Sequence, residues 1–224
     1  MEQKLLDEAH ALSFEGVKEN VKTPAYYFTE LPTKFQIDAI TRLAATAKAE
    51  NKFLIYELGY GNSLSPLDSA GAGKNRVVLA FDIQGQFPGN IRLGTDSAKI
   101  PDQESGSFAA FFKIDVRDVI KNGNPIKANL AYSIVPFPNL TGEMIKLGLE
   151  LSDNVYVVPN HLATKEYPPE DAIKNLPLGF SGEILMLTKS EIEEAIGTSK
   201  SAYITTDSPT DKIPVVHAYL PKNS

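Results

Sequence analysis

The sequence predicts an α+β protein rich in β-structure: N-terminal helices, then a mostly antiparallel, jelly-roll-like β-sandwich with one short helix in the C-terminal half. Apolar residues recur with helical spacing before residue 50 and mostly with strand-like alternation after it. The 224 residues include 15 Gly and 15 Pro, which suits short strands joined by turns. The chain has no cysteine, which excludes disulfides and thiolate metal sites.

Residues 1–50 form the predicted helical segment. A modest amphipathic helix over residues 3–20, broken near Gly16, precedes a stronger helix that opens at Pro32 and Thr33. The apolar side of the second helix consists of Phe35, Ile37, Ile40, Leu43, Ala44 and Ala47. Because such a side needs burial, we expect the helices to pack on residues 51–224, the β-rich domain, as one compact unit.

Strand-like patterns begin after residue 51. The segment KFLIYELGY is apolar on both faces, as a central strand is, while RVVLAFDIQG, SFAAFFKIDV and IKANLAYSIV alternate. Between the last two, DVRDVIKNGNP predicts a single capped turn. A strand, a short capped turn, Asn-Gly and a further strand are similar to the succession in many jelly-roll domains.

The second half of the chain continues the predicted sheet. Leu147, Leu149 and Leu151 alternate with polar residues or glycine, which predicts a strand that turns at SDN into the strand VYVVPN. After a proline-rich excursion, GEILMLT predicts a strand, and KSEIEEAIG a short helix with Ser190 and Glu193 as capping box. The segments SAYITTD and KIPVVHAYL predict a closing hairpin.

Residues 68–74, DSAGAGK, resemble the core of a phosphate-binding loop. A Walker loop needs a glycine where Asp68 stands and a Ser or Thr where Asn75 stands, with a helix afterwards. The segment RVVLAFDI follows instead and has the alternation of a strand. We therefore predict a turn between two strands and no nucleotide site here.

The composition limits the partners that we expect. The formal net charge is −6 and no Lys/Arg run is interleaved with aromatic residues, which disfavours nucleic acid. No apolar run reaches the roughly 20 residues of a membrane span. This chain shows no signal peptide, which suits a cytoplasmic protein or an exported one whose signal has been removed. No metal or cofactor motif is found.

Few residues suggest a site. Of three histidines, His161 opens the proline-rich excursion and His217 lies in the last predicted strand. Either could carry protons near neutral pH, although an exposed loop histidine and a structural strand histidine are the simpler interpretations. The rings of Tyr26, Tyr27 and Tyr60 could bind a ligand such as a sugar, although packing explains most such rings.

These observations leave two functional hypotheses open. The first is a non-catalytic protein that binds a ligand or assembles with copies of itself through loops 59–75 and 159–180, giving a structural role and a possible homo-oligomer. The alternative is a metal-independent enzyme that acts on a small molecule or carbohydrate with carboxylates and a histidine. The absence of a recognisable catalytic motif favours the first.

Overall fold

The structure is a computed structural model, and it describes residues 6–7, 9–11, 25–61, 63–84, 99–123, 125–134, 137–160, 164–201 and 204–222. Over these ranges, one mixed sheet is built from the strands β1 (His10–Ala11), β2 (Ala25–Tyr27), β3 (Phe53–Leu58), β4 (Arg76–Asp82), β5 (Phe108–Lys113), β6 (Leu130–Ile134), β7 (Asn154–Val158), β8 (Ser181–Leu187) and β9 (Ile213–Tyr219). The helices are α1 (Thr33–Ala49), α2 (Ser65–Gly71), α3 (Val116–Gly123), α4 (Thr141–Leu151), α5 (Pro169–Ile173) and α6 (Lys189–Ile196).

The strand order is β1-β2-β5-β4-β3-β6-β7-β9-β8. Strands β2, β5, β4, β3, β6 and β7 pair in parallel, each with its neighbour. Strand β9 is antiparallel to both β7 and β8, and β1 is antiparallel to β2. Starting from the central β3, the chain adds β4 and β5 on one side and then β6 and β7 on the other, which is the doubly wound topology of Rossmann-like folds.

The predicted antiparallel, jelly-roll-like β-sandwich is wrong. A β-sandwich has two packed sheets, each with one solvated face. The described strands form a single sheet that lies between two layers of helices. Strands β4 and β5 alternate in sequence, yet their middle residues are buried on both faces. The alternation therefore separates two apolar cores and does not separate a core from solvent.

Two cores result from this layering. The α1 face of the sheet is covered by α1, α3, α4 and α5, and includes Leu54, Tyr56 and Leu58 of β3. The α2 face is covered by α2 and α6, and includes Ile55 of β3 and Tyr132 of β6. Successive residues of β3 thus enter opposite cores, as the two-residue period of a strand requires.

Helix α1 confirms the stronger N-terminal helix of the sequence analysis and connects β2 to β3. The weaker helix over residues 3–20 falls mostly outside the described residues. Because β2 and α1 belong to the same sheet and core as the rest of the chain, the first 50 residues contribute to the central architecture. The division of the chain at residue 50 stays a prediction.

Four local predictions need correction. Helix α4 occupies the segment predicted as a strand around Leu149, and α2 lies in the segment predicted as a plain turn. The capping box of α6 is formed by Thr188 and Glu191 and not by Ser190 and Glu193. The last strand, β9, forms as predicted but pairs with β7 and β8. Within the described ranges, no helix is long and apolar enough to cross a membrane.

Candidate functional site

The carboxyl ends of the central strands meet where the winding of the sheet reverses. Strands β4 and β6 lie on either side of β3. The chain reaches β4 from β3 through α2 and reaches β6 from β5 through α3, and these two helices lie on opposite faces of the sheet. In open α/β sheets this reversal leaves a crevice beyond the strand ends, and ligands bind there. The hydroxyl of Ser133 in β6 donates to the carbonyl of Leu58 (2.6 Å) and fixes the two strand ends at this point.

A short glycine loop, Gly59, Tyr60 and Gly61, follows β3 at this edge. Both glycines have left-handed backbone angles, with φ of 73° and 55°. A Cβ at either position would meet no described atom within 4 Å, so the space above the backbone is open. Glycine is suited to this geometry, and its missing side chain lets a ligand approach the backbone closely.

Asp82, the last residue of β4, holds the glycine loop. Its Oδ2 accepts a hydrogen bond from the amide of Gly61 (2.9 Å), and its Oδ1 accepts one from the amide of Gln84 (2.7 Å). Each carboxylate oxygen has two lone-pair sites. These two backbone contacts therefore do not by themselves exclude a hydrogen bond from a ligand hydroxyl.

Glu57 lies just before the glycine loop and is 1% exposed, on the α2 face of the sheet. Its carboxyl group accepts hydrogen bonds from the hydroxyls of Ser65 and Tyr132, the latter at 2.5 Å. Burial raises the pKa of Glu57 to about 8, against the smaller opposing effect of these two hydroxyls. The strand end thus contains a buried acidic group that is largely protonated at neutral pH.

The N-terminus of α2 is not a phosphate cradle. The amide of Ser65 already donates to the hydroxyl of Ser63 (3.0 Å), and Pro66 has no amide hydrogen. Asp68 follows in the first turn, fully buried, with its Oδ1 accepting from the amide of Lys99 (2.6 Å). Burial raises the pKa of Asp68.

The structure separates the three candidate tyrosines. Tyr60 lies in the glycine loop with 1% of its surface exposed, its ring edge-to-face with Phe111 (5.2 Å). Its hydroxyl contacts no hydrogen-bonding partner in the described chain, and burial raises its pKa. Tyr27 is close enough to raise that pKa further, whereas Tyr26 packs on Phe108. Ligand binding by the tyrosines stays a prediction.

The candidate histidines do not meet the glycine loop. His217 lies on β9 beside the amino end of β7, stacked between Tyr156 (4.2 Å) and Tyr219 (4.7 Å). Its ring nitrogens contact Glu183 Oε1 (3.0 Å) and Asn154 Oδ1 (2.9 Å). This is the opposite edge of the sheet from the crevice. His161 lies outside the described residues, and in the described chain no three His, Asp or Glu side chains group as metal ligands.

The sequence analysis overlooked the glycine loop and Asp82 as a pair. The signal was present: G-x-G directly follows a buried strand, and an acidic residue ends the next strand, 21 residues after Gly61. That spacing is typical of nucleotide-binding βαβ units, in which the acidic side chain binds ribose.

Several solved structures are similar to this chain in fold at low sequence identity. No protein-family model matches the sequence, and no curated protein matches it. Among solved structures, the chain is similar to a 16S rRNA (adenine(1408)-N(1))-methyltransferase from Catenulisporales acidiphilia, at 11% identity and a TM-score of 0.49 over 82% of this chain and 94% of that one. It is also similar to an O-methyltransferase from Bacillus cereus in complex with SAH, at 11% identity and a TM-score of 0.43 over 86% and 85%.

Two functional expectations are corrected by these findings. The hypothesis of a non-catalytic binding, self-assembling or structural protein on a β-sandwich scaffold is wrong, because the described residues form a single mixed sheet between two layers of helices. The exclusion of nucleic acid from net charge alone is withdrawn, and 16S rRNA methyltransferases are among the similar solved structures. At such low identity, the similarity concerns the fold alone and assigns no role to individual residues.

Proposed function

We propose that the protein binds S-adenosylmethionine at the carboxyl ends of β3 and β4 and acts as a methyltransferase. The observation that carries the proposal is the pairing of the open glycine loop with Asp82 through the Gly61 amide (2.9 Å). This pairing lies at the switch point of a doubly wound sheet, where such folds bind nucleosides.

The residues present fit the adenosine part of this cofactor. Gly59 and Gly61 would let the ligand lie against the backbone, where a Cβ would stand in open space. Asp82, half-buried at the end of β4, would accept hydrogen bonds from the ribose hydroxyls. Both roles need only groups that already face the crevice edge.

The charges around the loop favour a cationic cofactor without phosphate. The Asp82 carboxylate contacts the glycine loop through the Gly61 amide. A pyrophosphate beside it would be repelled, and α2 offers no free run of amides to hold it. A sulfonium and an ammonium group would be attracted. When bound, S-adenosylmethionine supplies an electrophilic methyl group.

Binding of S-adenosylmethionine, measured by isothermal titration calorimetry, tests the proposal. We expect the wild-type protein to bind S-adenosylmethionine and S-adenosylhomocysteine, and to bind NAD at least about tenfold more weakly. The variant Asp82→Asn should lose about tenfold or more in affinity for both adenosyl ligands, because a charged acceptor of the ribose hydroxyls becomes a neutral amide.

Asp102→Asn is the matched control, because Asp102 caps the short turn at residues 103–105 through a similar carboxylate–amide bond (2.6 Å). Its affinity should equal that of the wild type. Release of S-adenosylhomocysteine on adding either a small-molecule extract or RNA would then show which acceptor class supports turnover. Tight NAD binding with no binding of either adenosyl ligand would refute the proposal.

A further inference from the structure

Buried hydrogen bonds connect β6, β3 and the start of α2 next to the glycine loop. Tyr132 in the middle of β6 donates to Oε2 of Glu57 (2.5 Å), and Ser65 donates to Oε1 of the same carboxyl group. Glu57 lies in β3 two residues before Gly59 of the glycine loop, and Ser65 is the first residue of α2 after it. The carboxyl group thus ties the strand before the loop to the helix after it.

Tyr132 holds the Glu57 carboxyl group from the neighbouring strand. Tyr132 and Glu57 are 75 residues apart in sequence and lie on neighbouring strands across the reversal of the winding. The Ser69 hydroxyl in α2 also reaches the Tyr132 hydroxyl. Tyr132 is 0% exposed, so it cannot touch a ligand in the crevice. Any influence on binding must therefore pass through the groups that Tyr132 contacts, which are Glu57, with Ser65 behind it, and Ser69 in α2.

We propose that Tyr132 is a positioning residue for the cofactor: through Glu57 and Ser65 it holds the glycine loop in the shape that binding requires. The inference rests on the proposed function for the identity of the ligand. In a buried, low-dielectric network, removing one hydroxyl weakens the remaining bond as well, because the carboxyl group can then move toward Ser65 alone. The loop and the start of α2 would then sample other arrangements, and a ligand would have to restore the bound one.

The test compares Tyr132→Phe with Tyr56→Phe in the full chain. Tyr56 is a matched control, since it is also 0% exposed and its hydroxyl donates one bond, to the carbonyl of Ile126 (2.8 Å), but on the α1 face. Both variants should lose similar stability. We expect the Kd for S-adenosylmethionine to rise about tenfold in Tyr132→Phe and less than about twofold in Tyr56→Phe. Ser65→Ala, which breaks the other end of the link, should resemble Tyr132→Phe.

Hydrogen exchange without ligand separates this inference from the proposed function. The amides of Gly61 and Ser63 donate to Asp82 and to the Tyr60 carbonyl, so their exchange reports on the loop. They should exchange faster in Tyr132→Phe and Ser65→Ala than in Tyr56→Phe. If the wild type binds no adenosyl ligand but this pattern appears, the proposed function fails and loop positioning stands. Equal exchange and equal Kd in the two Tyr→Phe variants would overturn the inference.

Discussion

Glu57→Gln is expected to stabilise the protein by about 3 kcal/mol at pH 7, because the pKa of Glu57 is raised by burial from 4.5 to about 8. Below pH 4.5 the carboxyl group is protonated in both states and contributes nothing. Between pH 4.5 and 8 the unfolded chain loses this proton while the folded protein keeps it, so wild-type stability falls as pH rises. Gln is neutral throughout and can still bond Ser65 and Tyr132.

Urea unfolding at pH 5 and pH 8.5 measures this effect. The stability gain of Glu57→Gln should be small at pH 5 and largest at pH 8.5. Glu150→Gln, at an exposed position on α4, removes the same charge from the surface and should change stability by less than about 0.5 kcal/mol. A Glu57→Gln variant that is destabilised equally at both pH values would contradict the assignment of a buried, protonated carboxyl group.

Gly71→Ala is expected to destabilise the protein by about 3 kcal/mol, although alanine is the better helix former. A Cβ on Gly71 would lie 2.1 Å from the carbonyl oxygen of Lys99, which is a backbone atom. The segment cannot easily withdraw, because the Lys99 amide is bonded to Asp68 on the same helix (2.6 Å). Relief of the clash would therefore break the contact between α2 and this segment.

Gly73→Ala provides the comparison from the same stretch of sequence. A Cβ there would approach only Cδ of Arg76 (3.2 Å), in a flexible side chain that can shift. Its cost in urea unfolding should stay below about 1 kcal/mol. Equal losses for the two alanine variants would show that the close approach at Lys99 does not govern the choice of glycine at position 71.

The central strands were predictable from the sequence, and their arrangement was not. The segment around Ile55 is apolar on both faces, which correctly predicted a central strand. The same pattern should have suggested a parallel sheet with helices on both sides. The alternation around β6 extends over residues 126–129, which precede the strand and form only an isolated bridge between Ala128 and Ser152.

Local sequence features concealed some of the helices that lie between the strands. In α4, Leu147, Leu149 and Leu151 mimic a strand, while the face toward the sheet is formed by Ile145, Gly148 and Leu149. Gly148 read as a polar-side residue, yet its backbone packs against Val155 of β7. The helix period was hidden because this close contact is made by a residue without a side chain.

The candidate site was half visible in the sequence. The G-x-G segment and Asp82 follow consecutive strands and could have been paired by spacing alone. The partnership of Glu57 with Tyr132 could not, because only the strand order brings residues so distant in sequence together. The histidines attracted attention for their chemistry, but the register places His217 at the other edge of the sheet.

The position of β9 between β7 and β8 makes two strand edges depend on the last strand of the sheet. In the described sheet, β8 pairs with β9 alone, and β9 follows it in sequence. During synthesis from the N-terminus, β8 therefore emerges before the strand that must separate it from β7. Until β9 inserts, both β7 and β8 present unpaired backbone to the surroundings, and a direct β7–β8 pairing is the natural misfolded alternative. Strand β9 is thus the element whose delay would leave the most unpaired strand backbone exposed to aggregation on the nascent chain.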